Sequence, residues 1–463
     1  MKVQKVLLIR TAKKEEGVSP PLGLLYIASS IKRFLENIKV EIIDLGVEEL
    51  SMEEIKKKIE NFDPDVLGLS TMTVEADIMQ KVARIAKNVK KDMIVLVGGP
   101  HATLCYESVL KNKDIDYAIV GEGEITIISL LKSLNKNGDV SGVEGVAYRK
   151  SNKIIKTRPR ASIKNLDEIP FPAWDLINMK KYSDYPTWNG IIKKKYYMSI
   201  ITSRGCPYGC IYCHNIFGRQ YRSRSPKNVF SEIKTLCNNY GVKEIHIIDD
   251  AFNLNLERAK KICNLIINLK MDIAISFPNG MRGDIVDEEL LDKLKRAGTY
   301  KINYGIETVS TRLQKMTNHN LNIKKIREVI RMTNEKGIIT LGLFMLGFPT
   351  ESKEEMLKTI EFAANSELDL AKFFRVVPYP GTKLYNSKFN KKEHFYGDYS
   401  DYHFYSNKLN CSNIPLDELN NIARYAMWRF YRKPKRIFKL FLKYPKKVSL
   451  LRKLFIMYLY SIS

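Results

Sequence analysis

Short apolar runs alternate with longer segments of helical spacing through the first 140 residues. The runs are Val6–Ile9, Val40–Leu45, Val66–Ser70, Met93–Gly99 and Tyr117–Gly121; the segments between them include Met52–Ile59 and Ile78–Val89. Strands joined by helical crossovers predict a doubly wound parallel sheet, an α/β domain over residues 1–140. Ligands of such sheets lie beyond the C-terminal strand ends. There the chain carries Pro20-Pro21-Leu22-Gly23, Ser70-Thr71-Met72-Thr73, Gly98-Gly99-Pro100-His101 and Gly121-Glu122-Gly123-Glu124. Any one of these loops could be a tight turn. As a set, their glycines and small hydroxyl residues predict close approach by a large ligand. No Gly-x-Gly-x-x-Gly follows the first strand, so a dinucleotide fingerprint is not supported.

Val143–Arg149 and Lys153–Ile163 predict a β-hairpin through Ser151-Asn152, and Pro170-Phe171-Pro172-Ala173-Trp174 an ordered linker packed on a neighbour. A second alternation then begins. Its strand candidates are Met198–Ser203, Glu244–Ile248, Ile273–Phe277, Lys301–Gly305, Thr340–Leu346 and Ala371–Val376. The helical segments between them are Val229–Tyr240, Leu256–Leu269, Glu288–Arg296, Ile323–Glu335 and Lys353–Ala364. Six β/α units predict a partial (β/α)6 barrel with its site at the strand ends. The expected division is 1–140, a hairpin and linker at 141–195, a barrel at 196–386 and a helical basic region at 387–463.

Composition changes this picture in one respect. The 463 residues carry a formal charge of +25, with 76 Lys+Arg against 51 Asp+Glu. Such an excess raises nucleic acid or an anionic membrane as partners. Asn421–Ser463, however, holds 12 Lys+Arg and no acid, so about half the excess belongs to the end of the chain. The first ten residues contain an apolar run of only four, and no stretch has the length of a membrane span. The expectation is a cytoplasmic protein, in which clustered cysteines point to metal or redox chemistry rather than disulfides.

Such a cluster is present in Arg204-Gly205-Cys206-Pro207-Tyr208-Gly209-Cys210-Ile211-Tyr212-Cys213-His214-Asn215, directly after the first barrel strand. Three thiolates on one loop can converge on one metal centre. A single zinc ion would need a fourth ligand, for which His214 is the near candidate. An iron–sulfur cluster would use the three thiolates and leave one iron open. Cys105, Cys237, Cys263 and Cys411 are scattered and read as packing residues. His246, inside an apolar strand, reads as a satisfied wall residue, and Tyr304 as ambiguous.

With an aromatic before its last cysteine, the Cys-x3-Cys-x2-Cys loop resembles that of the radical S-adenosylmethionine superfamily. The resemblance implies a 4Fe–4S cluster on Cys206, Cys210 and Cys213. Its open iron would chelate the amino and carboxylate groups of S-adenosylmethionine, whose cleavage yields a 5′-deoxyadenosyl radical. Later strand ends are similar to the family's as well. Asp249-Asp250-Ala251-Phe252-Asn253, Asn279-Gly280-Met281-Arg282, Gly305-Ile306-Glu307-Thr308 and Leu346-Gly347-Phe348-Pro349-Thr350 follow the second to fifth strands. This implies S-adenosylmethionine contacts at Asp250, Asn253, Asn279, Arg282, Glu307 and Gly347. Taken alone, Asp250 and Glu307 could also be ordinary loop carboxylates or helix caps.

A Rossmann-like sheet ahead of such a barrel resembles the cobalamin-binding subgroup, which includes the class B methyltransferases. The resemblance implies cobalamin on the first domain, with Pro21, Gly23, Ser70, Thr71, Thr73, Gly98, Gly99, Pro100, His101, Gly121, Glu122, Gly123 and Glu124 as candidate contacts. The Asp-x-His-x-x-Gly signature of other cobalamin proteins is absent, and His101 does not fit it. Base-off cobalamin without a histidine ligand is therefore expected.

The activity implied is methylation of an unactivated carbon in a small-molecule or lipid-like substrate, with an external electron donor of the flavodoxin or ferredoxin kind. The alternative is cyclisation or rearrangement with the same cofactors, as in anaerobic porphyrin cyclases. Methylthiolation of tRNA is disfavoured because only Cys105 precedes Cys206, where that family needs three further cysteines. Three readings of the basic tail stand open: a solvated face packed on the barrel, a contact with an anionic membrane, and nucleic acid, the least favoured.

Overall fold

The computed structural model describes residues 2–12, 18–136, 138–185, 187, 190–214, 216–388, 398–403, 406 and 408–450. The chain divides into two compact units. The first comprises residues 1–188, 215–218 and 389–401, and the second the remainder.

In the first unit, β1 (Lys5–Arg10), β2 (Lys39–Asp44), β3 (Val66–Ser70), β4 (Ile94–Gly98) and β5 (Tyr117–Ile119) form a parallel sheet in the order β2-β1-β3-β4-β5. The intervening helices are α1 (Leu22–Phe34), α2 (Met52–Phe62), α3 (Ala76–Val89) and α4 (Pro100–Lys111), and α5 (Gly123–Lys136) follows β5. Strand residues feed two cores by alternation. Leu7, Ile9, Leu67 and Val95 pack with residues of α2, α3 and α4, whereas Val6, Leu8, Val66 and Leu96 pack with α1 and α5. The order reverses between β1 and β3, which makes the loops after those strands the flanks of the switch point.

The sheet does not stop where the apolar alternation stops. The expected hairpin forms as β6 (Val146–Lys150) and β7 (Lys153–Lys156), and β6 pairs antiparallel with β5. It is thus the edge of the first sheet rather than a separate connector. The linker is ordered as expected: Trp174 is buried, the Ala173 amide donates to the Leu25 carbonyl at 3.1 Å, and the Tyr182 hydroxyl donates to Asp44 at 2.7 Å. Of the segment after the barrel, residues 398–401 group with this unit, not with the helical end.

In the second unit, β8 (Tyr197–Ile200) leads into a two-stranded ribbon of β9 (Ser203–Arg204) and β10 (Arg222–Ser223). The remaining strands are β11 (Glu244–Ile247), β12 (Ala274–Met281), β13 (Thr299–Glu307), β14 (Ile339–Leu346) and β15 (Leu370–Arg375). The parallel sheet runs β15-β14-β13-β12-β11-β8, with β8 and β15 as its two edges, as a partial barrel requires. Its helices are α6 (Pro226–Tyr240), α7 (Leu256–Asn268), α8 (Glu288–Arg296), α9 (Thr311–Met316), α10 (Ile323–Glu335), α11 (Lys353–Asn365) and α12 (Lys383–Lys388). Side-chain N-caps on Ser225, Asn255, Asp287, Ser310, Asn322 and Ser352 start most of them. The tail forms α13 (Leu416–Tyr431) and α14 (Pro434–Lys443), with Pro434 at the first turn of α14 and Pro445 just beyond its end. No helix among the described residues is long and apolar enough to cross a membrane.

Candidate active site

The cysteine loop is closed at its base by the β9–β10 ribbon, which pairs Arg204 with Arg222. Gly205 has φ +82°, a left-handed conformation that favours glycine, and its amide donates to Asp250 at 3.3 Å. A Cβ on Gly209 would sit 2.4 Å from Asn318 Nδ2, so glycine there lets that side chain lie close against the loop. The Ile211 amide donates to Thr317 at 3.0 Å and the Arg219 guanidinium to Tyr208 at 2.6 Å. Tyr212, the aromatic before the last cysteine, points inward to Phe348 and His319, with ring centroids 5.6 and 6.4 Å away.

Burial raises all three thiols, Cys210 to about 11 and Cys213 to about 12, with mutual repulsion contributing. Thiols held this close but kept protonated suit a positively charged iron centre, which would take up their thiolates. The zinc alternative lacks its fourth ligand: His214 Nε2 lies 3.3 Å from the Pro380 carbonyl and its ring packs on Tyr379. Among the described residues, no three His, Cys, Asp or Glu side chains, these thiols included, are grouped so as to hold a single metal ion, so it is the loop and its spacing rather than a preformed geometry that point to the cluster.

Glu307 lies beside these thiols, close enough to raise Cys210 and Cys213 electrostatically. It follows a register shift between β13 and β14 and has φ +63°, so a bulge and a strained backbone aim its side chain. Gln314 holds the turn from behind, donating to the carbonyls of Ile306 and Thr308 at 3.1 and 2.5 Å. Glu307 has no hydrogen-bond partner among the described residues, and burial raises it to about 8. A carboxyl group so raised stays protonated near neutral pH and would ionise more readily beside a cation. Asp250 is raised to about 6 by burial and by Asp249. These groups fit a zwitterionic sulfonium ligand chelated at a cluster.

Other residues singled out from the sequence hold the protein itself. Asn253 is buried, with both ends of its amide engaged by the Arg282 backbone at 2.8 and 3.2 Å. The Arg282 guanidinium pairs with Asp284 at 2.7 Å and donates to the His319 and Asn320 carbonyls at 2.7 and 2.8 Å. It also stacks 4.0 Å over Tyr208 of the cysteine loop. Asn279 donates to the Ile248 carbonyl at 2.7 Å. His246, as expected, is buried in a hydrogen bond to Glu244 at 2.7 Å, and the Tyr304 hydroxyl is tied to Thr333 at 2.7 Å.

Two residues escaped the sequence reading. Glu351 is buried, and one of its oxygens accepts the Gly347 and Phe348 amides at 2.7 and 2.9 Å. The other oxygen is buried without a partner, and burial raises the group to about 7. Asn303 on β13 donates to the Pro278 carbonyl at 2.6 Å and leaves its own amide oxygen buried and unpartnered. The sequence signal for Glu351 was an acid two residues beyond Gly347-Phe348-Pro349; for Asn303 it was an amide on the strand face that also carries Lys301 and Glu307.

In the first unit the candidate residues separate by depth. Gly23, Ser70, Gly98, Pro100, Gly121, Glu122 and Gly123 reach the surface, and a Cβ on Gly23 or Gly121 would meet nothing within 4 Å. Gly99 (φ +90°) also reaches it, but with a Cβ position 3.1 Å from the Thr71 carbonyl, so glycine lets β3 and β4 close up. Pro21, Thr71, Thr73, His101 and Glu124 are buried beneath. The His101 Nδ1 lies 3.3 Å from the Thr73 hydroxyl, its ring meets Tyr399 edge-on at 5.3 Å, and burial lowers it to about 4. Met72, 42% exposed at the end of β3, and Ile125 at the start of α5 are apolar surface residues the sequence reading passed over. The room at Gly23 and at Gly121, with the His101 imidazole buried and no other imidazole among the described residues of this unit, fits a broad ring system such as a corrin.

Comparisons agree with this chemistry. Residues 200–363 match the Radical SAM superfamily and residues 11–131 the B12 binding domain. An uncharacterized methyltransferase of Pyrococcus horikoshii is 33% identical over 448 residues, 95% of each chain. An anaerobic magnesium-protoporphyrin IX monomethyl ester cyclase of Rubrivivax gelatinosus is 26% identical over 435 residues, 93% of this chain and 76% of that protein. The structure of the radical S-adenosylmethionine methyltransferase TsrM from Kitasatospora setae, with cobalamin and a 4Fe–4S cluster bound, has a TM-score of 0.70 at 18% identity. It covers 82% of this chain and 77% of that one, a likeness of fold. The chain belongs to the radical S-adenosylmethionine superfamily, in its cobalamin-binding, methyltransferase-like branch, and is an enzyme of 4Fe–4S, S-adenosylmethionine and cobalamin chemistry.

Proposed function

We propose that this enzyme methylates an unactivated carbon of a small or lipid-like molecule. The observation that carries the reading is the end-to-end match to a relative described as a methyltransferase. When bound, the cluster would supply the electron that cleaves S-adenosylmethionine and cobalamin would carry the methyl group.

The chain's own residues then have distinct tasks. Cys206, Cys210 and Cys213 would ligate the cluster. Glu307 would accept the ammonium group of S-adenosylmethionine, its cost of ionising in a buried site being met only when that cation arrives. Gly347 and its neighbours would present backbone to the adenine, braced by Glu351. Asn253 and Arg282 would act as positioning residues that hold the cysteine loop. On the first unit, Gly23 and Gly121 would leave room for cobalamin, while Met72 and Ile125 would cover it with apolar surface.

A cytoplasmic enzyme served by a flavodoxin- or ferredoxin-like donor, with its basic end touching an anionic membrane, completes the reading. We also propose the division of the sequence at residues 140, 195 and 386, with the hairpin between 140 and 195 serving as an extension of the first sheet. The cyclase relative supports a second reading in which the same cofactors close or rearrange a ring.

The test is anaerobic incubation of reconstituted enzyme with methyl-labelled S-adenosylmethionine, cobalamin, a chemical reductant and a small-molecule extract. Methyl transfer predicts 5′-deoxyadenosine, S-adenosylhomocysteine and label in a new product. Formation of 5′-deoxyadenosine with neither of the others removes it and leaves the cyclase reading.

A further inference from the structure

The last two helices turn one face outward with nothing of the described chain upon it. On α14, Lys435, Phe438, Lys439 and Leu442 are exposed at spacing i, i+3, i+4, i+7, which is one side of a helix. Phe438 is 65% and Leu442 63% exposed, unusual for side chains of that size. The opposite side is fixed: Leu440 is buried, and buried Arg436 donates to the carbonyls of Leu368, Phe430, Ala364 and Ser366 at 2.6–3.0 Å. An exposed indole on α13, Trp428, carries the Arg432 guanidinium 4.5 Å over its ring. A shallow cavity of about 410 Å³, mostly apolar, lies where the two helices meet, lined by Tyr431, Arg432, Pro434, Ile437, Phe438 and Phe441.

Charge decides what covers this face. From Asn421 onward the sequence has no carboxylate, so the cations around Phe438 and Leu442 have no acidic counterpart within the segment. Some of its cations are spent inward, Arg429 on Glu361 at 2.6 Å and Lys443 on Asp369 at 3.0 Å, but Lys435, Lys439 and Lys446 are exposed. Two copies of such a face would repel each other. A surface that is negative outside and apolar just beneath answers both halves of the pattern at once.

We propose that the face formed by Lys435, Phe438, Lys439 and Leu442, extended by Trp428 and Arg432, docks on an anionic phospholipid bilayer, with Phe438 and Leu442 at the headgroup–acyl boundary. This names the face and the lipid chemistry of the membrane contact proposed above, and rests on it.

The full-length protein is tested by flotation with phosphatidylcholine vesicles, with and without phosphatidylglycerol, at low and high salt. Wild type is expected to float only with phosphatidylglycerol and at low salt, with a blue shift of Trp428 fluorescence that Trp428→Phe removes. Lys435→Glu with Lys439→Glu is expected to weaken binding roughly 30-fold or more, and Phe438→Glu with Leu442→Glu to abolish it. Lys234→Glu, an exposed site on α6, should leave it intact. Unchanged melting temperature and iron content certify that each variant folds. Wild type that ignores phosphatidylglycerol vesicles overturns the membrane contact itself. Wild type that binds while both double variants bind equally overturns only this face. Light scattering that shows a dimer dissolved by Phe438→Glu overturns the membrane in favour of a second copy.

Discussion

The two cofactor faces of this chain are built on opposite plans. The barrel presents groups: three raised thiols, an unpaired carboxylate at Glu307, and an acid at Glu351 gripping two amides. The first sheet presents room: Gly23 and Gly121 with nothing where a Cβ would stand, while the His101 imidazole is turned inward. A compact charged ligand needs matched partners, whereas a broad ring needs its competitors for space removed. Substitutions that delete should therefore cripple the barrel, and substitutions that add should cripple the sheet.

The largest effect is expected from Cys210→Ala. Iron content and visible absorbance of the reconstituted protein should fall to background while cobalamin binding persists. Next is Gly23→Phe. A Cβ there meets nothing, and leaving glycine in a helix should, if anything, stabilise the fold by roughly 0.3–0.5 kcal/mol. Cobalamin uptake, read by corrinoid absorbance, should nonetheless be lost while the iron remains. Cobalamin binding by this variant at wild-type strength would break the comparison.

Glu307→Gln is expected to weaken S-adenosylmethionine binding roughly 10- to 100-fold, the worth of one charge-assisted hydrogen bond. Isothermal titration of the cluster-loaded variant checks this. The smallest effect is at Glu351. Its folded pKa is raised from 4.5 to about 7, so the folded state holds a proton that the unfolded state releases. Stability from this group is present below pH 4.5 and is lost as pH rises towards 7. Glu351→Gln keeps an acceptor for the Gly347 and Phe348 amides without ionising. It should melt level with wild type near pH 5 and a few degrees above it at pH 8.

Much of the architecture was legible because strand and helix periodicity is local. β3, α8 and α10 fall where the apolar spacing put them. The hairpin was legible too, but not its pairing with β5, since edge pairing depends on a partner some 30 residues away. The helices α9 and α12, six residues each, are too short to show a period. At the site, residue type was legible and orientation was not. Arg282 and Asn253 were implied as ligand contacts by the resemblance of their strand ends to those of the family. Here a partner 29 positions distant claims Asn253, and Asp284 with the His319–Asn320 turn claims Arg282. Glu307 was named from its strand end, but the left-handed backbone and the bulge that aim it were not legible there.

Arg436 bears on how this protein can be cut. With that side chain bonded to carbonyls at the end of α11, and with Leu419, Ile422 and Ala426 packed against Leu346, Met356 and Ile360, the helical end is part of the barrel's wall. A stop codon ahead of α13 would not yield a trimmed enzyme with a less basic end. It would bare a hydrophobic flank and strand three carbonyls, and the product would aggregate for reasons unrelated to charge. The terminus of this chain is not a detachable module, so the surface chemistry of the end has to be edited one side chain at a time.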